Sequence, residues 1–177
     1  MDAAKALPTA YSRVVVDTNV LLSAALSPNG APAQLVDRLL AEAQIVLSEQ
    51  TFAELKSRIW KPKFDRYVTM ERRHSLLHDF NAVALWVDVP AQIASVSYSR
   101  DATDDAFTHV ALAAGALRLV TGDDDLFCLD AIEGINVRIV TPRRALEEIG
   151  GKSLPIPKAS PDAPTQARNW KRSDLYE

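Results

Sequence analysis

Five short runs of β-branched and aliphatic residues, set apart by helical patterns, constrain this 177-residue chain more than any other feature. They are Arg13-Val14-Val15-Val16, Ile45-Val46-Leu47, Leu85-Trp86-Val87, Leu117-Arg118-Leu119-Val120 and Val137-Arg138-Ile139-Val140. Runs of this composition read as strands. Most of the spacings between them, roughly thirty to forty residues, leave room for a helix and a return in the same direction. The pattern predicts an α/β fold with a parallel sheet covered by helices. In such a sheet the residues just past the strand ends share one edge, where open α/β sheets bind ligands. Asp17 and Asp123 fall there.

Two further acids lie on helices that leave the same edge. Ser48 is a suitable N-cap for a helix over 49–60, which puts Glu54 in its second turn. With Phe52, Leu55 and Ile59 as the buried stripe, Glu54 is off the core face. Thr103 reads as the N-cap of a helix running to about Ala116, with Asp104 and Asp105 in its first turn above the end of the strand at 85–87. Asp17, Glu54, Asp105 and Asp123 are therefore expected to converge. Two carboxylates about 5 Å apart repel by roughly 3 kcal/mol at an effective dielectric near 20, and four make six such pairs. A cluster of this kind takes up protons or binds cations. Oxygen ligands alone select hard ions, so Mg²⁺ or Mn²⁺ suits it better than zinc, which favours His or Cys at ligand spacing.

The segment Val14-Val15-Val16-Asp17-Thr18-Asn19-Val20-Leu21, then Glu54, then Asp104-Asp105-Ala106-Phe107, then Val120-Thr121-Gly122-Asp123-Asp124-Asp125-Leu126 resembles the PIN-domain nucleases. Within them it is similar to the bacterial VapC-like toxins of toxin–antitoxin systems. The resemblance spans roughly residues 12–149. It implies a three-layer α/β/α fold with a five-stranded parallel sheet, and cleavage of single-stranded RNA dependent on Mg²⁺ or Mn²⁺. Carried over by position, Asp17, Glu54, Asp105 and Asp123 match the four acids that hold metal and position water. Asn19, Thr121 and Asp125 match supporting polar positions, and Asp104 competes with Asp105 for the third acid. An antitoxin protein is the implied partner beside RNA, and related domains pair as homodimers. Metal-assisted hydrolysis of a phosphodiester follows, with the ion activating water and offsetting charge on the transition state.

Two alternatives belong to other classes. A haloacid-dehalogenase-like phosphatase also places an Asp after its first strand, but it wants a second Asp two positions on, where this chain has Asn19. A non-catalytic PIN-like binding module would share the fold without the chemistry.

Composition sets the surroundings. With 47% hydrophobic and 24% charged residues the chain suits one soluble domain, and neither a signal-like leader nor a long apolar segment is present, so a cytoplasmic protein is expected. Cys128 stands alone and allows no internal disulfide. The net charge of −3 hides two poles: residues 101–130 hold seven Asp and only Arg118, whereas 56–73 hold seven Lys or Arg against Asp65 and Glu71. Lys61, Lys63 and Arg66, interleaved with Trp60, Phe64 and Tyr67, suit RNA phosphates and bases, or equally a solvated helix pair with its aromatics turned inward. His109 reads as a packing residue, and His74 with His78 lack further zinc ligands. Residues 1–11 are expected to be a flexible N-terminus and 12–149 the folded body. Residues 150–177, with Pro155, Pro157, Pro161 and Pro164, are expected to form a flexible extension.

Overall fold

A computed structural model describes residues 8–99, 102–123 and 135–150. All five expected strands are present: β1 Arg13–Val16, β2 Gln44–Leu47, β3 Leu85–Trp86, β4 Arg118–Val120 and β5 Arg138–Val140. They form one parallel sheet in the order β3-β2-β1-β4-β5. Seven helices are described: α1 Thr18–Leu26, α2 Ala31–Glu42, α3 Glu49–Ile59, α4 Met70–Val83, α5 Ala91–Ala94, α6 Ala102–Ala114 and α7 Pro142–Gly150. None of the described helices is long and apolar enough to cross a membrane.

Strand periodicity divides the core into two. Val14, Val16, Ile45, Leu47, Val120 and Val140 face one side, packed with residues of α1, α2, α3 and α7, while Val15, Val46, Leu119 and Ile139 face the other, against Phe107, Val110 and Ala111 of α6. The result is an α/β/α sandwich. Both sheet faces are covered, so the strands need continuous apolar runs instead of alternating ones. Each fully buried Val, Leu or Ile contributes roughly 1.5–3 kcal/mol.

Helix starts follow local chemistry. Ser48 and Thr51 form a reciprocal capping box at the start of α3, with the Ser48 N–H donating to Thr51 Oγ1 at 3.0 Å and the Thr51 N–H to Ser48 Oγ at 3.3 Å. Asp17 caps α1, its carboxylate accepting from the Asn19 N–H at 3.2 Å. The start of α6 differs from expectation. It begins at Ala102, so Thr103 lies inside the first turn and is not the N-cap. It also stops at Ala114, because Gly115 takes the left-handed φ of 62° that ends a helix. The helix packs over β1, β2 and β4.

The N-terminal boundary also moves. Thr9–Tyr11 forms a 3-10 turn, and the Tyr11 ring is buried with its hydroxyl donating to Glu148 Oε2 at 2.9 Å. A large aromatic with a satisfied hydroxyl gains by packing, so the body starts before residue 12. Asp124, Asp125, Cys128 and the extension beyond Gly150 lie outside the described residues.

Candidate functional site

Chain order reverses between β1 and β4. From β1 the chain builds outward through β2 and β3, then returns to the other side of β1 with β4 and β5. The carboxyl ends of β1 and β4 therefore flank the topological switch point, the crevice where open α/β sheets take ligands. Asp17 follows β1 there, its N–H donating to the Val120 carbonyl at 2.9 Å, and Thr121 to Asp123 follow β4.

One hydroxyl organises this crevice. Thr121 Oγ1 donates to Asp17 Oδ2 at 2.9 Å and accepts the Asp123 N–H at 3.0 Å, so it fixes one carboxylate and the backbone of the next acid. Thr121 is fully buried and Asp17 is 5% exposed. Burial pushes the Asp17 carboxyl above its ordinary range. The Thr121 hydroxyl, the Asn19 N–H and the charge of Arg58 pull it back, and the nearby Asp123 adds to the rise. A buried carboxylate beside a second acid is relieved by a cation.

The third side of the crevice comes from α3. Glu54, half-buried, faces Arg58 one turn later, with Oε1 3.1 Å from Arg58 Nε, and Arg58 Nη1 donates to Asn19 Oδ1 at 2.7 Å. Asn19 thus has two tasks: its N–H holds Asp17 and its side-chain oxygen holds Arg58. Arg58 was not among the expected site residues, although the Glu-x-x-x-Arg spacing in a helix was a legible signal for the pair.

Asp105 departs from expectation. It is 2% exposed, and its Oδ1 accepts the Tyr98 N–H, the Ser99 N–H and the Ser99 hydroxyl at 3.1, 2.6 and 2.7 Å, while Oδ2 accepts the Ser97 hydroxyl at 3.0 Å. Burial works to raise its carboxyl, but these four donors outweigh it and hold the group below the ordinary Asp range. Asp105 is an anchor for the segment 97–99. Its neighbour Asp104, in the same first turn, is half-buried. Among the described residues no three His, Cys, Asp or Glu side chains converge closely enough to hold one ion. Two of the four expected acids are visibly engaged elsewhere, Asp105 with 97–99 and Glu54 with Arg58.

The basic stretch resolves in favour of inward aromatics. Phe64 is buried, and Trp60 and Tyr67 pack against the main core. Arg73, 2% exposed, sits 5.4 Å from the Trp60 ring centre and pairs with Asp65 at 2.9 Å. Trp60 and Tyr67 remain half-buried. Lys61 and Arg66 are exposed and Lys63 is half-buried, which leaves the cations as the stretch's outward chemistry. His109 bonds the Val96 carbonyl at 2.7 Å and meets Tyr98 edge-on, while His74 packs edge-on to Trp60.

A parallel sheet in this order, with Asp17 and Asp123 following the strands at its switch point, defines an α/β protein that gathers acids at one sheet edge. Residues 13–125 match the PIN domain family. The uncharacterized protein MJ1680 of Methanocaldococcus jannaschii is 32% identical over 145 residues, 77% of this chain and 90% of that protein. Among solved structures, VapBC2 from Rickettsia felis, bound to a DNA fragment from their promoter, matches at 18% identity and a TM-score of 0.49, over 73% of this chain and 98% of that one. The chain belongs to the PIN domain family, whose members are generally nucleases. That membership removes the haloacid-dehalogenase-like alternative.

Proposed function

We propose that this protein hydrolyses phosphodiester bonds of single-stranded RNA with Mg²⁺ or Mn²⁺ held by Asp17, Glu54, Asp104 and Asp123. The observation that carries this reading is the buried Asp17 at the switch point, tied to Asp123 through the single Thr121 hydroxyl. The donor set fits in kind: the acids offer oxygen only, which suits a hard divalent ion, and His109 is already bonded to the Val96 carbonyl; bringing these acids onto one ion takes side-chain movement from where they stand. Asp104 takes the third place because the oxygens of Asp105 are taken up by 97–99. A divalent ion bound at these acids supplies charge to offset the transition state and an acidified water.

The chain's own residues do the positioning. Thr121 and Asn19 fix the Asp17 carboxylate so that it need not reorganise when substrate arrives. Thr121 also sets the backbone of Asp123, and Asp125 follows as a supporting acid of the same segment. Asp105 holds 97–99 against the start of α6. Lys61, Lys63 and Arg66 neutralise backbone phosphates of the incoming strand. The finer reading is a toxin of a toxin–antitoxin pair, acting in the cytoplasm, kept silent by an antitoxin protein and pairing with a second copy. It rests on the likeness of the Asp17-Thr18-Asn19 and Thr121-Gly122-Asp123 segments to that branch.

Purified protein incubated with single-stranded RNA and Mn²⁺, with and without EDTA, tests the reading. Cleavage lost on chelation and in Asp17→Asn is expected. Cleavage that survives thorough chelation would overturn the mechanism, and metal binding without any cleavage would favour the non-catalytic module.

A further inference from the structure

Arg58 stands among the acids. Its Nε lies 3.1 Å from Glu54 Oε1, and its Nη1 donates to Asn19 Oδ1 at 2.7 Å, so the guanidinium bridges α3 and the first turn of α1 next to Asp17. Two of its three nitrogens are engaged, and both partners belong to the crevice. A guanidinium is not deprotonated in a protein, so its charge is permanent. Glu54 therefore already has a cation on one of its carboxylate oxygens.

We propose that Arg58 is the resident counter-ion of this site and that it sets the affinity for the divalent ion by competing with it for Glu54. The inference rests on the reading above, in which Asp17 and Glu54 hold that ion. An ion that takes Glu54 must displace the guanidinium or share the carboxylate with it. Displacement does not send the charge away, because the bond to Asn19 and the helix backbone keep it near. A double positive charge then binds beside a single one, and the site takes its ion more weakly than its acids alone would allow. The i,i+4 pair with Glu54 contributes little to helix stability, and the bond to Asn19 is the larger structural contact of the side chain.

Mn²⁺ affinity of the full chain, read from the electron paramagnetic resonance signal of free aquo Mn²⁺, is the test, and no turnover is needed. Arg58→Gln removes the charge and should bind Mn²⁺ about tenfold tighter or more. That is the scale Coulomb's law gives for a unit and a double charge on neighbouring groups even at water's dielectric constant. Arg58→Lys keeps the charge and should stay within about threefold of the parent. If Arg58→Gln fails to fold, Arg58→Met, which keeps the apolar stem, takes its place. Unchanged or weaker Mn²⁺ binding in the neutral variants, with Asp17→Asn still abolishing it, would overturn the counter-ion role while leaving the metal site standing. No Mn²⁺ binding by the parent or by any Arg58 variant would overturn the metal site and the counter-ion with it.

Discussion

Exchanging each of two adjacent acids for its amide separates an anchor from a ligand. The Asp105 carboxylate is 2% exposed and accepts four hydrogen bonds from Ser97, Tyr98 and Ser99. Bonds to an ionised acceptor are worth ~1.5–3 kcal/mol and neutral ones ~0.5–1.5 kcal/mol, so conversion to an amide forfeits about 1 kcal/mol for each bond that survives. The new NH₂ group also presents a donor where a donor already points. The serine hydroxyls can rotate to relieve part of this, which leaves a net loss of about 2–4 kcal/mol for Asp105→Asn. In a domain of this size that lowers the melting temperature by about 5–15 °C. Asp104→Asn, at a half-buried position in the same turn, should cost less stability than Asp105→Asn. Thermal melts in EDTA, followed by circular dichroism, measure the first quantity. RNA cleavage with Mn²⁺, well below the lower melting temperature, measures the second. Asp104→Asn should melt above Asp105→Asn and fail to cleave, whereas Asp105→Asn should melt early. A parent-like melt for Asp105→Asn, or full cleavage by Asp104→Asn, would refute the assignment.

Three other perturbations have definite signs. Glu148 accepts from the Tyr11 hydroxyl and from Arg118 Nε at 3.1 Å; burial works to raise its carboxyl, but these partners and Arg138 outweigh it and hold it below the ordinary 4.5. Because the folded value is the lower one, its stabilisation is complete above the unfolded value and vanishes as pH falls through the folded one, so Glu148→Gln should cost stability in urea melts at pH 7 and progressively less as the pH is taken below the ordinary Glu value. Gly115→Ala should cost roughly 1 kcal/mol by thermal melt through backbone strain alone, since φ is 62° and an added Cβ would meet nothing within 4 Å. Replacing Lys61, Lys63 and Arg66 together with Ala, in an Asp17→Asn background, should flatten the slope of log affinity for single-stranded RNA against log salt by about 0.7 per lost contact; an unchanged slope would mean that RNA enters over another surface.

The fold was legible because its signals are local and redundant. Val14-Val15-Val16 and Leu119-Val120 are continuous apolar runs, which only a sheet buried on both faces requires, and the structure packs alternate members of each against different layers. Ser48 announced α3 by its own capping chemistry. The start of α6 was misread for the opposite reason. Thr103 is a good capping residue by type, yet the helix begins one residue before it, at Ala102. Tyr11 was placed in a flexible segment because what orders it lies 137 positions away, at Glu148, beyond the reach of any local pattern.

The site was legible in part, and what was missed shares one cause. An acid in the first turn of a helix can serve a ligand or tie down a neighbouring loop, and the choice depends on donors that periodicity does not register. For Asp105 those donors are Ser97, Tyr98 and Ser99, which arrive from the preceding loop. Arg58 was counted with a basic stretch because its sequence neighbours are basic, although its bonds run to Glu54 and Asn19. The first correction changes which acid of the α6 turn faces the crevice, and the second changes the charge balance there. Six mutually repelling carboxylate pairs at roughly 3 kcal/mol each would demand an ion almost unconditionally. With Arg58 beside Glu54, one acid of the crevice already faces a cation, and the repulsion it adds is smaller. On the counter-ion role proposed for Arg58, the charge at position 58 is what weakens the hold on a divalent ion, and Arg58→Gln is the variant in which that hold should tighten.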